Sequence, residues 1–144
     1  MQITKKSLLI LIQSSLLLPI SLYANCPSLD KVTFGCSEIF GKKHCAWGAP
    51  WWEGYQGNAE AGDHPVEFKE VFWGASSDPL MGSTNCFYKD KNNDWVELSQ
   101  NNWGGVPKPV NSPWKDGLWP TGGAAQAGRV CDQSLTACQF PYGD

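Results

Sequence analysis

The sequence predicts an all-β fold: a small antiparallel sandwich or partly open barrel with long loops pinned by disulfides. Three observations point there. Fifteen glycines and ten prolines punctuate the chain so densely that few windows can carry an apolar stripe at helical spacing. Several short runs instead alternate with a period of two. Six cysteines, an even number, follow a leader-like start, as in exported domains that are stapled by cystines.

The start of the chain has the order of a secretory signal. Lys5 and Lys6 precede the apolar stretch "SLLILIQSSLLLPISLYA", which ends in Tyr23-Ala24. Gln13, Ser14, Ser15 and Pro19 interrupt that stretch, and no basic stop-transfer cluster follows, so it reads as a leader and not as an anchor. Cleavage is expected after Ala24, with residues 1–24 as signal peptide and 25–144 as a single β-rich domain in the periplasm or outside the cell. Asn25 before Cys26 disfavours a lipoprotein. Without Lys5 and Lys6 the chain has nine basic residues against 14 acidic ones, a formal charge of −5. That balance disfavours nucleic acid and a broad grip on anionic membranes, both of which need a basic face.

Cys26, Cys36, Cys45, Cys86, Cys131 and Cys138 all fall after the leader, and three disulfides are expected. Cys131 with Cys138 closes the shortest loop. Cys26, Cys36 and Cys45 crowd the start, so at least one of them should reach Cys86. Neither a CxxC pair nor an HxxxH or HExxH motif accompanies the cysteines, so no metal and no cofactor is expected.

Strand signals appear in order. Lys31 to Phe34 is a weak first strand. In "HPVEFKEVFWGA", Val66 and Phe68 alternate with Glu67 and Lys69 before the run becomes continuously apolar from Val71 to Trp73. Thr84 to Lys89 and Trp95 to Ser99 are two strands joined by the polar loop "DKNND", with Val96 and Leu98 on one side and Trp95 and Glu97 on the other. After Gln100, Pro107, Pro109, Pro113 and Pro120 forbid a regular central strand. Trp103, Trp114 and Trp119 make this segment an ordered, packed loop, because a solvated linker carries few aromatics. A short helical turn is expected within Gly122 to Gly128.

The chain has eight tryptophans. Burial of one indole, some 150–250 Å², contributes roughly 4–6 kcal/mol before entropy at about 25 cal/mol per Å², so most should lie inside. Trp73 and Trp119 have the most apolar neighbours. "GAPWWEGYQG" differs, setting Trp51, Trp52 and Tyr55 among glycines and a proline. In an extended segment Trp51 and Trp52 point to opposite faces, which leaves one ring to solvent. Flat rings edged by Glu53, Gln56 and Asn58 suit a sugar: its C–H faces stack on the ring and its hydroxyls meet carboxylate and amide.

The leading expectation is therefore a secreted, monomeric, non-catalytic binding module or effector for a carbohydrate surface, with Trp51, Trp52, Tyr55, Glu53, Gln56 and Asn58 as its site. Lys42, Lys43 and His44 offer an alternative anion site for a phosphoinositide or other anionic lipid headgroup. Inhibition of a secreted host hydrolase would use the same stapled aromatic loop. A small glycan hydrolase would draw on Glu53, Glu60, Asp63, Glu67 and Glu70, with His64 as a base. Enzyme activity is the less favoured of these, because all six cysteines are expected to pair and no GxSxG signature is present.

Cys26-Pro27 at the expected mature start, Phe68, Phe72 and Ala75 in "F-x-x-x-F-W-G-A", Cys86 and Tyr88 in "C-F-Y", Leu98, and Cys131, Ser134, Cys138 and Phe140 in "C-x-x-S-x-x-x-C-x-F" form a further pattern. It resembles small exported Cys- and Trp-rich bacterial proteins grouped as a domain of unknown function. The resemblance implies export by a Gram-negative bacterium and a shared fold. It supplies no catalytic residues.

Overall fold

The structure, a computed structural model, describes residues 23–55, 57–100, 105–122 and 126–141. Among them are eleven strands and one 3-10 turn, Leu29–Lys31. The strands are β1 (Tyr23–Ala24), β2 (Thr33–Ile39), β3 (Lys42–Ala49), β4 (Trp52–Gly54), β5 (Glu67–Ala75), β6 (Met81–Lys89), β7 (Trp95–Gln100), β8 (Val106–Pro107), β9 (Lys115–Leu118), β10 (Ala127–Cys131) and β11 (Phe140–Pro141). Eight of them form an antiparallel path, β2-β3-β4-β7-β6-β5-β10-β9, and β8 adds to β6. β1 and β11 form a separate two-stranded ribbon. The fold is all-β, its sheets are antiparallel and not closed, and disulfides pin its loops.

Strand alternation divides the large sheet into two faces. The inner face carries Phe34, Trp47, Trp52, Val71, Trp73, Cys86, Tyr88, Val96, Leu98 and Cys131, all buried in one apolar cluster. Its cover is made by the chain ends and by loops, which contribute Cys26, Val32, Val106, Trp114, Cys138 and Phe140. Hydrogen bonds fasten the cover: Trp73 Nε1 donates to the Val106 carbonyl at 2.9 Å, Trp114 Nε1 to that of Gln139 at 2.8 Å, and Tyr88 Oη to that of Pro27 at 2.8 Å. Each satisfies a polar tip that burial would otherwise penalise. Burial pushes the Tyr88 phenol far above its ordinary pKa.

Two of the disulfides act in the same layer. Cys26 pairs with Cys86, tying the start of the described chain to the central strand, and Cys131 pairs with Cys138, turning the chain end back over the core. Cys36 pairs with Cys45 across the β2–β3 ladder. Three cystines in so small a protein fit an oxidising, exported location.

The strands expected from Val66 to Ala75 and on both sides of the Asp90–Asp94 loop are present as β5, β6 and β7. Asp90 shapes that loop, its Oδ1 accepting from the backbone N–H groups of Asn92 and Asp94 at 2.8 Å each. Other expectations need correction. The strand expected at Lys31 to Phe34 is β2 and begins only at Thr33, because Lys31 belongs to the 3-10 turn. The short turn expected within Gly122 to Gly128 falls on residues 123–125, which lie outside the described residues, and Ala127 and Gly128 open β10, pairing with Leu118 and Gly117. Trp103 lies outside the described residues, as do residues 1–22 of the expected signal peptide. Trp119 is half-buried, and it sits on the outer face instead of in the main core.

Candidate binding face

The stretch around Pro50 folds as a tight hairpin. Ala49 pairs with Trp52, leaving Pro50 and Trp51 as the two turn residues. Proline presets the first turn position, and Trp51 takes the second at φ 68°. That left-handed conformation is ordinarily left to Gly or Asn, and a bulky side chain adopts it at a cost of roughly 1–2 kcal/mol. Trp51 is nevertheless 89% exposed, so no burial inside the fold offsets the strain. Gly54 is needed a little further on, because a Cβ there would collide with the Trp47 carbonyl.

One ring of the tryptophan pair is inside and one outside, as expected, but Trp51 owes its exposure to the turn and not to strand alternation. Trp52 points inward, is only 9% exposed, and packs edge-on against Phe140 at 6.3 Å between ring centroids. Trp52 is therefore removed from the proposed ligand surface: it is a core residue, since β4 turns its side chain to the covered face. Glu53 lies on the outer face opposite Ser99, and Tyr55, 60% exposed, continues the same face. The Tyr55 backbone bridges two strands, its N–H donating to the Glu97 carbonyl at 3.4 Å and its carbonyl accepting from Trp47 N–H at 3.2 Å. Asn58 is exposed in the loop that follows, and Gln56 lies outside the described residues.

Register extends this face across the sheet. Glu53, Ser99 and Asn85 stand in one cross-strand row, and Glu97, Phe87 and Glu70 in the next, with neighbours in a row roughly 5 Å apart. Asn85 is 6% exposed and its Nδ2 donates to Glu97 Oε1 at 2.9 Å. Burial raises the pKa of the Glu97 carboxyl, which the Asn85 hydrogen bond only partly offsets. Glu70 is raised as well, first by burial and then by the nearby Asp132 charge. Phe72, Phe87 and Val130 form a small outer cluster on which Trp119 packs. Trp119 lies edge-on to both Phe72 (5.0 Å) and Phe87 (5.2 Å). Trp95 also borders Phe87, and Lys89 Nζ sits 3.8 Å from the centroid of its ring. Thus Trp95 has a cation over its ring, whereas Trp51 and Tyr55 stand out in solvent.

The other candidates are dispersed. Lys42, Lys43 and His44 are exposed at the far end of β3 from Trp51, roughly 25 Å away at the rise of an extended strand, so the rings and these cations do not form one site. Of the acidic cluster, Asp63 accepts from Glu60 N–H at 2.9 Å and pairs with Lys91 at 3.1 Å, and Glu67 pairs with Lys69 at 3.0 Å. His64 is held by its Nδ1, which donates to the Val32 carbonyl at 2.7 Å. The Asp63 and His64 contacts brace the loop that crosses the β2 edge, where Phe34 N–H donates to the Asp63 carbonyl at 2.9 Å and Gly62 N–H to the Phe34 carbonyl at 2.8 Å. Asp63 and His64 stand at the β2 edge, whereas Glu53 and Glu70 belong to β4 and β5. Among the described residues no group of three His, Cys, Asp or Glu side chains is placed to hold a metal ion.

Sequence reasoning left Asn85, Trp95, Glu97 and Ser99 out of the site. The signal for two of them was present, because the alternation in "WVEL" sends Trp95 and Glu97 away from the core. The strand pairing that brings them beside Tyr55 is long-range and has no local signature.

Comparison of the chain with protein-family models, curated proteins and solved structures finds no match to any of them.

Proposed function

We propose that the protein is an exported, non-catalytic binding module whose ligand is a polysaccharide surface, held at Trp51 and Tyr55. The carrying observation is the pair of exposed rings at the two ends of β4, one on a strained turn that no internal contact repays. Their separation, about 13 Å along an extended chain, exceeds a single sugar ring and suits a polymer. Glu53 and Asn58 are exposed near the rings to take up hydroxyls, and Glu97 with Asn85 forms a less exposed polar floor beside Tyr55. The leader-like start and the cystines support export.

The test is retention on insoluble glycans, with peptidoglycan, chitin and cellulose as probes. Trp51→Ala with Tyr55→Ala should abolish retention while the thermal midpoint stays near that of the parent. Retention equal to the parent's would remove these rings from any ligand site.

A further inference from the structure

The half of the β2–β3 hairpin from Gly35 to His44 projects as a free arm. Every residue in it is exposed, and among the described residues β4 pairs with β3 only at Gly48 and Ala49 and the crossing loop hydrogen-bonds the β2 edge only at Phe34. An unsupported two-stranded ribbon is marginal in water, and here the Cys36–Cys45 cystine clamps it across the ladder. At its end Ile39 pairs with Lys42, leaving Phe40 and Gly41 as a two-residue turn with φ of 51° and 73°. This is the geometry that Asn-Gly fills without strain. The chain instead places phenylalanine there, wholly exposed, next to Ile39 at 49% exposure. Lys42 and Lys43 follow directly, with Glu38 opposite Lys43 and Ser37 opposite His44.

An apolar point on a stiff stem, backed by two cations, has the chemistry of a bilayer interface. Phe40 and Ile39 are placed to enter between headgroups, and long lysine stems keep their ammonium groups level with lipid phosphates. We propose that this arm is an interfacial anchor for anionic membranes, inserted tip first. The charge distribution favours that orientation: the protein is acidic overall, so an anionic surface repels most of it and attracts the lysine-bearing arm. The arm shares no residue with the glycan face and lies at the opposite end of β3, so either proposal can fail alone.

The experiment is vesicle co-sedimentation of the oxidised protein, comparing phosphatidylglycerol-containing vesicles with pure phosphatidylcholine. Binding to the anionic vesicles is expected, weakening as salt rises. Phe40→Gly should reduce it roughly tenfold or more, the loss expected for one buried aromatic ring. Glycine suits the turn better, so an unchanged or higher thermal midpoint separates lost contact from lost folding. Lys42→Gln with Lys43→Gln should weaken binding by about fivefold per charge removed. A Phe40→Trp variant should be quenched by brominated lipid. Failure of the parent to bind anionic vesicles, or equal binding by the parent and Phe40→Gly, would overturn the proposal. So would a parent dimer in sedimentation velocity that Phe40→Gly dissolves, which would assign the tip to a second copy of the chain.

Discussion

The two faces of the sheet come from the same alternating strands and end in opposite states. Along β6, Cys86 and Tyr88 turn inward beneath the covering chain ends, and Asn85 and Phe87 turn outward. The inner face is sealed along its length by a layer held through two cystines and three hydrogen bonds from aromatic side chains. Among the described residues the outer face has a roof of one ring, Trp119, over Phe72, Phe87 and Val130, and beyond it runs into carboxylates, an amide and the open ring of Tyr55. A sheet face becomes core when something is anchored over it. Where nothing is anchored, the residues must tolerate water or await a ligand.

The sharpest way to break this contrast is to damage each face in turn. Trp73→Ala removes an inner ring that is 2% exposed and the hydrogen bond it donates, and should cost about 3–5 kcal/mol in urea unfolding. Trp119→Ala, on the half-open face, should cost about 1–2 kcal/mol, because its ring already meets water on one side. Equal losses would mean that the outer cluster is as much a core as the inner one.

Cystines sharpen the comparison at the next level. Cys26–Cys86 spans 60 residues and fastens the cover, so replacing both with Ala should cost about 4 kcal/mol by loop entropy. Cys36–Cys45 spans nine residues within an exposed arm, and its removal should cost under about 3 kcal/mol and fray the arm before the core. Hydrogen exchange separates the outcomes: early exchange should spread through the inner-face strands in the first variant and stay within residues 35–45 in the second.

Smaller still is the expected effect at the open rings. Trp51→Gly relieves a left-handed tryptophan and buries nothing less, so stability should stay level or rise by up to about 1 kcal/mol, while glycan retention falls. A drop of more than about 2 kcal/mol would show that Trp51 is packed in solution.

Local chemistry made much of the fold legible. The period-two patterns at Val66–Ala75 and Trp95–Ser99 fixed strands and their inward sides, and proximity in sequence pointed to Cys131 with Cys138. β3 and β4 were illegible, since "KKHCAWGA" and "WEG" alternate poorly, and their strand state comes from pairing with β2 and β7. At the site the same limit applies. Strand geometry would separate Trp51 from Trp52, but Trp51 stands on a left-handed turn, and Trp52 turns inward on β4 to meet Phe140, nearly ninety residues away. The strain at Trp51 and Phe40 appears only with backbone angles, because no residue pattern announces a bulky side chain at a left-handed position.

The smallest effect distinguishes the faces by charge. Burial holds Glu70 and Glu97 above the usual carboxylate range, so the folded protein keeps these protons more tightly than the unfolded chain. Their contribution is then favourable in acid: stability is lost as pH rises from the ordinary carboxylate pKa through the raised folded values, and the deficit is constant above them. Asp63, Asp116 and Asp132 run the other way. Hydrogen bonds from Glu60 N–H and Lys91, from Arg129 and from Lys115 hold them below the usual range. The stability they add is present above the ordinary value and lost as pH falls through the lowered ones. Glu97→Gln keeps an acceptor for Asn85 and removes the penalty, so its midpoint should exceed the parent's at neutral pH by less than about 1 kcal/mol, solvent screening being substantial at half exposure. The two curves should meet in acid, below the ordinary carboxylate range. A variant less stable than the parent at neutral pH would show that the Glu97 charge has a partner on this face, and that the outer surface is an organised ionic site instead of a half-dry floor beside Tyr55.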